Sequence, residues 1–97
     1  MKKAWVYLLE CADGTFYTRN TDHLKQRLFQ HQIGEGCSYT KARLPVKLVF
    51  CQFLPSKEDA YMAEQQLKGW SSAKKIALIN GDWELIKYLA KKPKYRK

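Results

Sequence analysis

The 97 residues, 45 % hydrophobic and 28 % charged, have the make-up of one folded domain with a modest core, not of a disordered chain. Eighteen Lys and Arg against nine Asp and Glu leave a net charge of +9, a positive field whose common partners are nucleic acid or anionic membrane. No apolar run approaches the ~20 residues that cross a bilayer, and Glu10 and Asp13 interrupt the stretch after Lys2 and Lys3, so neither a spanning helix nor a secretory leader is expected.

In chain order, the first twenty residues read as a β-hairpin. Ala4 to Cys11 is apolar, aromatic and β-branched, Asp13-Gly14 is a strong turn dipeptide, and Thr15 to Thr18 resumes strand chemistry. Strand alternation puts Trp5, Tyr7, Leu9 and Cys11 on one face of the first strand, and Thr15, Tyr17 and Arg19 on one face of the second. A helix follows from about Asp22 to Ile33, capped by Thr21 or Asp22 and stopped at Gly34. Leu24 and Leu28 define its apolar stripe, with Arg27 and His31 on the shoulder, turned toward the body of the protein or a groove beside it.

The segment from Gly34 to Pro45 reads as a loop holding Gly34, Gly36, Lys41 and Arg43, and Val46 to Phe53 as a third strand. From Gly36 to Ser56 there is no acidic residue, while Lys41, Arg43 and Lys47 are basic. Ser56 with Asp59 marks the start of a helix reaching about Trp70, whose apolar stripe is Ala60, Ala63 and Leu67 with Glu64 in its midst. A carboxylate there costs desolvation energy unless a cation, a metal or hydrogen bonds compensate. Further helices are expected from Ser72 to Ile79, ended by Asn80-Gly81, and from Trp83 to Ala90, capped by Asp82. Trp70 and Trp83 read as helix-packing residues, and Lys74-Lys75 as a solvated helix face. The organisation is thus one domain over 1–90 and a basic tail over 91–97.

Residues 85–97 hold six of the basic and none of the acidic residues, so the first 84 carry 12 cations against 9 anions and are only mildly basic. Cys11, Cys37 and Cys51 form no CxxC pair and no zinc-finger spacing with His, which points to reduced thiols in a cytoplasmic protein. Cys11 and Cys51 lie in strand-like segments, where a free cysteine acts as a small hydrophobe. No helix joins a strongly basic face to a wide aromatic one, which argues against a membrane-surface role.

Tyr7, Tyr17, Arg27, His31 and Glu64 are hard to explain as solvated surface. They are also the parts of metal-assisted phosphodiester cleavage. A carboxylate holds a hard divalent cation together with phosphate oxygens and water. An arginine neutralises charge growing on the phosphate. A tyrosine can take the proton of the attacking water once its pKa of ~10 is dealt with. Each residue also has a structural explanation: the tyrosines as half-buried strand residues, Arg27 as a helix-surface salt-bridge partner, His31 as a residue suited to the dipole near a helix C-terminus, and Glu64 as the i,i+4 partner of Lys68.

Trp5-Val6-Tyr7, ten residues before Tyr17-Thr18-Arg19, resembles the two tripeptides of GIY-YIG nuclease domains, with Leu24 to His31 similar to that family's first helix and Glu64 standing where it has a metal-binding glutamate. The stretch from Gly34 to Val49 resembles its small stand-alone bacterial branch, and the likeness spans about residues 4 to 80. It implies an α+β fold, a three-stranded antiparallel sheet flanked by helices. It implies Tyr7 as general base, Tyr17 positioning water or phosphate, Arg27 and His31 stabilising the pentavalent phosphate, and Glu64 holding one Mg²⁺ or Mn²⁺. Arg19, Lys41, Arg43 and Lys68 are the expected nucleic-acid contacts. The implied partner is DNA, branched or damaged DNA included, with target recognition left to a partner protein because no second domain is expected. Four departures stand out: Trp5 replaces the first glycine, Arg19 replaces the last, and Gln26 and Gly69 stand where the resemblance implies basic residues. A glycine at the place of Arg19 permits close approach of the backbone to a ligand. A metal-dependent endonuclease is the first expectation, and a nucleic-acid-binding module weakened or silenced by Arg19 is the second.

Overall fold

The computed structural model describes residues 3–91, so most of the expected basic tail, 92–97, lies outside the described residues. Three antiparallel strands, β1 (Ala4–Glu10), β2 (Phe16–Thr21) and β3 (Lys47–Leu54), form a sheet in the order β2-β1-β3. The hairpin turn is built as its sequence dictates. Gly14 sits at φ +86°, and the Asp13 carboxylate accepts from the Thr15 N–H at 3.0 Å and the Thr15 hydroxyl at 2.7 Å. Register then pairs Tyr7 with Arg19 and Val6 with Asn20, so each pair points to one face.

Alternation along β1 divides the interior in two. Val6 and Leu8, both fully buried, face α3 (Lys57–Lys68), α4 (Ser72–Ile79) and α5 (Trp83–Lys91) through Leu67, Ala77, Leu78 and Ile86. Tyr7, Leu9 and Cys11 face the other way, onto Leu24 and Leu28 of α1 (Leu24–Gln32) and onto Val46. The central strand is therefore covered on both sides, and truncating Leu8 to alanine would cost about 2–5 kcal/mol.

Ser56 caps α3, its hydroxyl accepting from the Asp59 N–H at 3.1 Å, and Asp82 caps α5 by accepting from Leu85 N–H at 3.1 Å. Other local expectations shift. Helix α1 begins at Leu24 with His23 in the cap position and no side-chain cap bond, because Thr21 is the last residue of β2. The segment read as a loop contains one turn of helix, α2 (Ser38–Lys41). Trp70 packs on the core, but Trp83 is 58 % exposed. Lys74 and Lys75 are half-buried, Lys74 Nζ lying 4.5 Å from the centre of the Trp70 ring, where a solvated face was expected. Cys11 is buried as a small hydrophobe; Cys51, on the β3 side of the α1-bearing face, is exposed.

Candidate functional site

On the face covered by α1, the most buried residue of that helix is not one of its leucines but His31, wholly inaccessible to solvent. Both ring nitrogens are bonded. Nδ1 lies 3.0 Å from Thr40 Oγ1 and Nε2 lies 3.0 Å from the Tyr7 hydroxyl. Thr40 donates its hydroxyl proton to the Cys37 carbonyl at 3.3 Å, so it accepts from Nδ1–H, and the bare Nε2 accepts from Tyr7. Burial, helped by the nearby positive charges of Arg27 and Arg19, pushes the His31 pKa down to about 4. The imidazole is neutral at physiological pH, and its Nε2 accepts a hydrogen bond from Tyr7.

Tyr7, on β1, is 1 % exposed, and burial raises its pKa above the ordinary value, opposed by the Arg27 guanidinium beside it. Tyr17, on β2, meets His31 edge-on at 5.3 Å between ring centroids and stacks on Tyr39 at 5.6 Å; burial raises its pKa as well. Arg27 is half-buried and fixed at both ends of its fork, donating from Nη1 to Gln30 Oε1 at 2.9 Å and from Nη2 to the Gly36 carbonyl at 3.1 Å. That bond pins the Gly36 loop against His31. A Cβ on Gly36 would stand 2.3 Å from His31 Nδ1, so only glycine lets the loop close over the ring.

Four participants carry no signal of this role in the sequence: Gly36, Thr40, Tyr39 and Cys37. The Cys37 thiol is pushed up by burial but pulled further down by hydrogen bonds with Thr40 and Tyr17 and with backbone N–H groups, to about 7. The acid-free glycine loop was the one sequence signal near them. Of the basic residues expected to touch phosphate, Lys41 is exposed on α2. Arg43 is engaged within the protein: Nε bonds Asp13 at 3.0 Å, Nη1 donates to the Tyr39 carbonyl at 3.0 Å, and the guanidinium lies 3.8 Å from the centre of the Tyr39 ring.

Glu64 belongs to a second cluster. It is 3 % exposed on α3, which packs on the opposite face of the sheet, and it meets the edge strand β2 there. Its Oε1 accepts from Asn20 Nδ2. Its Oε2 faces Lys68 Nζ at 2.7 Å and Arg19 Nε at 3.6 Å. Arg19 shares the face of Tyr7, its register partner, yet its side chain reaches Glu64 from the sheet's edge, and so joins the two clusters. Among the described residues no hydrogen bond or ion pair joins Glu64 directly to Tyr7, Tyr17, Arg27 or His31.

Comparison with known proteins shows what the chain is similar to. A sequence profile of the GIY-YIG catalytic domain matches residues 3–77. A UPF0213 protein of Streptococcus pneumoniae serotype 4 is 43 % identical over 88 residues, covering 89 % of each chain. One from Streptococcus agalactiae serotype V is 45 % identical over 76 residues, covering 78 % of this chain and 86 % of the relative. The solution NMR structure of a UPF0213 protein from Bacillus halodurans, 40 % identical, superposes with a TM-score of 0.53 and covers 80 % of this chain and 83 % of that one.

Proposed function

Because the chain belongs to the GIY-YIG family, we propose that it is a nuclease-type domain that takes the phosphodiester backbone of DNA, including branched or damaged DNA, on the Tyr7, Tyr17 and Arg27 face. The observation that carries the reading is the buried Tyr7–His31 hydrogen bond beside Arg27. A basic target-binding partner is not required for backbone contact, but recognition of a particular DNA structure falls to a partner protein.

Nucleases of this family generally use a divalent ion, and Glu64 is the residue of this chain that would hold it. The residues as arranged do not fit one. Both carboxylate oxygens already face donors, two of them cationic.

Positioning and charge neutralisation therefore fall to side chains. The Tyr7 hydroxyl, donating to His31 Nε2, accepts a hydrogen bond from the attacking water and aims its oxygen at phosphorus, and the water's proton leaves to solvent as the P–O bond forms. Neither side chain changes its protonation state, so neither the raised Tyr7 pKa nor the lowered His31 pKa stands in the way. The leaving oxygen departs with the electron pair of the broken P–O bond and is protonated by solvent. Arg27, held by Gln30 and Gly36, presents its charge to the phosphate oxygens without having to reorganise. Tyr7 is buried, so water comes from the side of Arg19, the exposed residue directly opposite.

A second reading, a module that holds the backbone without cutting it, is favoured by the position of Arg19 itself, opposite Tyr7 and drawn onto Glu64. Incubation with plasmid and branched DNA, in EDTA and in Mg²⁺, separates the two. Strand cutting by the wild type that falls ~10²–10⁴-fold in Tyr7→Phe supports the nuclease. Cutting that persists equally in Tyr7→Phe and Arg27→Ala would refute it, and steeply salt-dependent binding with no cutting decides for the module.

A further inference from the structure

We infer that Arg19 and Lys68 stand in this protein where a divalent ion would stand, so that the site meets phosphate with its own two cations and binds no divalent ion at Glu64. Glu64 is buried, and a carboxylate in such a place needs compensation. Lys68 Nζ at 2.7 Å and Arg19 Nε at 3.6 Å, both on Oε2, provide it, while Asn20 occupies Oε1. One carboxylate with two monovalent cations carries the same net charge, +1, as one carboxylate with a single divalent ion. An incoming ion would meet two like charges and would have to displace at least one of them, against a partner already at hydrogen-bond distance.

The geometry also suits phosphate better than it suits an ion. Arg19 and Lys68 are 51 % and 44 % exposed at their side chains while Glu64 is 4 % exposed at its own. The cations thus face solvent and the anion is underneath. Arginine offers a planar fork that matches two phosphate oxygens, which a glycine at the same position could not. Arg19 joins the two clusters, so a phosphate bound to it sits at the β2 edge of the sheet, between Glu64 and the face of Tyr7. The inference rests on the nuclease-type reading for where the phosphate lands. The absence of an ion at Glu64 does not.

The test is a titration of the purified protein with MnCl2, followed by the electron paramagnetic resonance signal of free Mn²⁺ and by paramagnetic broadening of the Asn20 and Glu64 amide signals. Wild type is expected to show no saturable site and no broadening localised there. Arg19→Gly combined with Lys68→Met should acquire a site, with an affinity at least about tenfold above wild type, and adding Glu64→Gln should remove it. If the vacated carboxylate compromises folding, Arg19→Gln with Lys68→Gln keeps hydrogen-bond donors beside it and serves the same purpose. A saturable Mn²⁺ site in wild type that Glu64→Gln abolishes would overturn the inference. So would folded double variants that still bind no Mn²⁺, because the two cations would then not be what closes the position. Failure of a short DNA duplex to bind, measured separately in EDTA, would count against the nuclease-type reading and not against the ion titration, which contains no DNA.

Discussion

Gly36→Ala changes one hydrogen for a methyl group and should disturb the site more than any comparable change in the chain. The new carbon would lie 2.3 Å from His31 Nδ1 and 2.8 Å from Cε1 and Cγ. Carbon contacts settle near 3.5 Å or beyond, so ring and loop must part by more than about 1 Å. Neither moves freely: the ring is bonded to Tyr7 and Thr40, and the Gly36 carbonyl is held by Arg27. Gly36 is not among the glycines with positive φ, so the penalty comes from contact and not from backbone conformation. Overpacking of this kind costs about 1–3 kcal/mol, and losing a buried hydrogen bond adds about 1 kcal/mol. A total of about 2–4 kcal/mol corresponds to a fall in Tm on the order of 10–25 °C for a domain of this size. Gly69→Ala is the control, since its Cβ would find nothing nearer than 3.5 Å. Thermal melting of the two variants, with imidazole NMR signals of His31, checks the argument. If Gly36→Ala melts with the control, or leaves the His31 signals in place, the account of the loop packing is wrong.

Acid should weaken the fold through His31. Its pKa is depressed in the folded state to about 4 from an ordinary 6.5, so the unfolded chain binds the extra proton and stability falls as pH drops from about 6.5 to about 4. The loss, on the order of 3 kcal/mol, should shrink in His31→Gln when denaturation midpoints are compared across that range. Tyr7→Phe leaves Nε2 of that buried ring without its donor and should cost about 1–3 kcal/mol in urea denaturation, more than Tyr61→Phe on the exposed face of α3. Cys37 should react with iodoacetamide with a midpoint near pH 7, and Thr40→Val should move that midpoint upward by removing one of the bonds that stabilise its thiolate.

What could be read in advance was whatever the chain settles locally. Asp13-Gly14 specifies its turn by side-chain geometry, Ser56 specifies its cap, and alternation along β1 separates Tyr7 from Val6 and Leu8 with no knowledge of what covers either face. The fate of His31 was only half legible. Helical spacing set it beside Leu24 and Leu28, but the residues that bury it, Gly36 and Thr40, arrive from a later loop. That loop's one turn of helix, four residues long, is too short for any periodicity to reveal. Glu64 was legible as a buried carboxylate in need of a partner, and Lys68 as its neighbour one turn on. Asn20 was not, because it is 44 residues away and meets Glu64 only through the docking of α3 on the edge strand. Arg19 is legible as a departure from a glycine, while its use depends on Glu64, a partner that spacing along the chain does not point to.

The claim that the DNA backbone is received on the face of Tyr7, Tyr17, Arg19 and Arg27 is tested most directly by titrating the isotope-labelled protein with a short DNA duplex in EDTA and following amide and arginine side-chain NMR signals. The account predicts saturable shifts at Arg19, Arg27, Gly36 and the neighbours of Tyr7, weakening steeply with added salt. Shifts confined to the basic residues after Leu85, with those signals unmoved, would contradict it: the charge of the C-terminal segment would then account for DNA binding, and the Tyr7–His31 site would have no part in it.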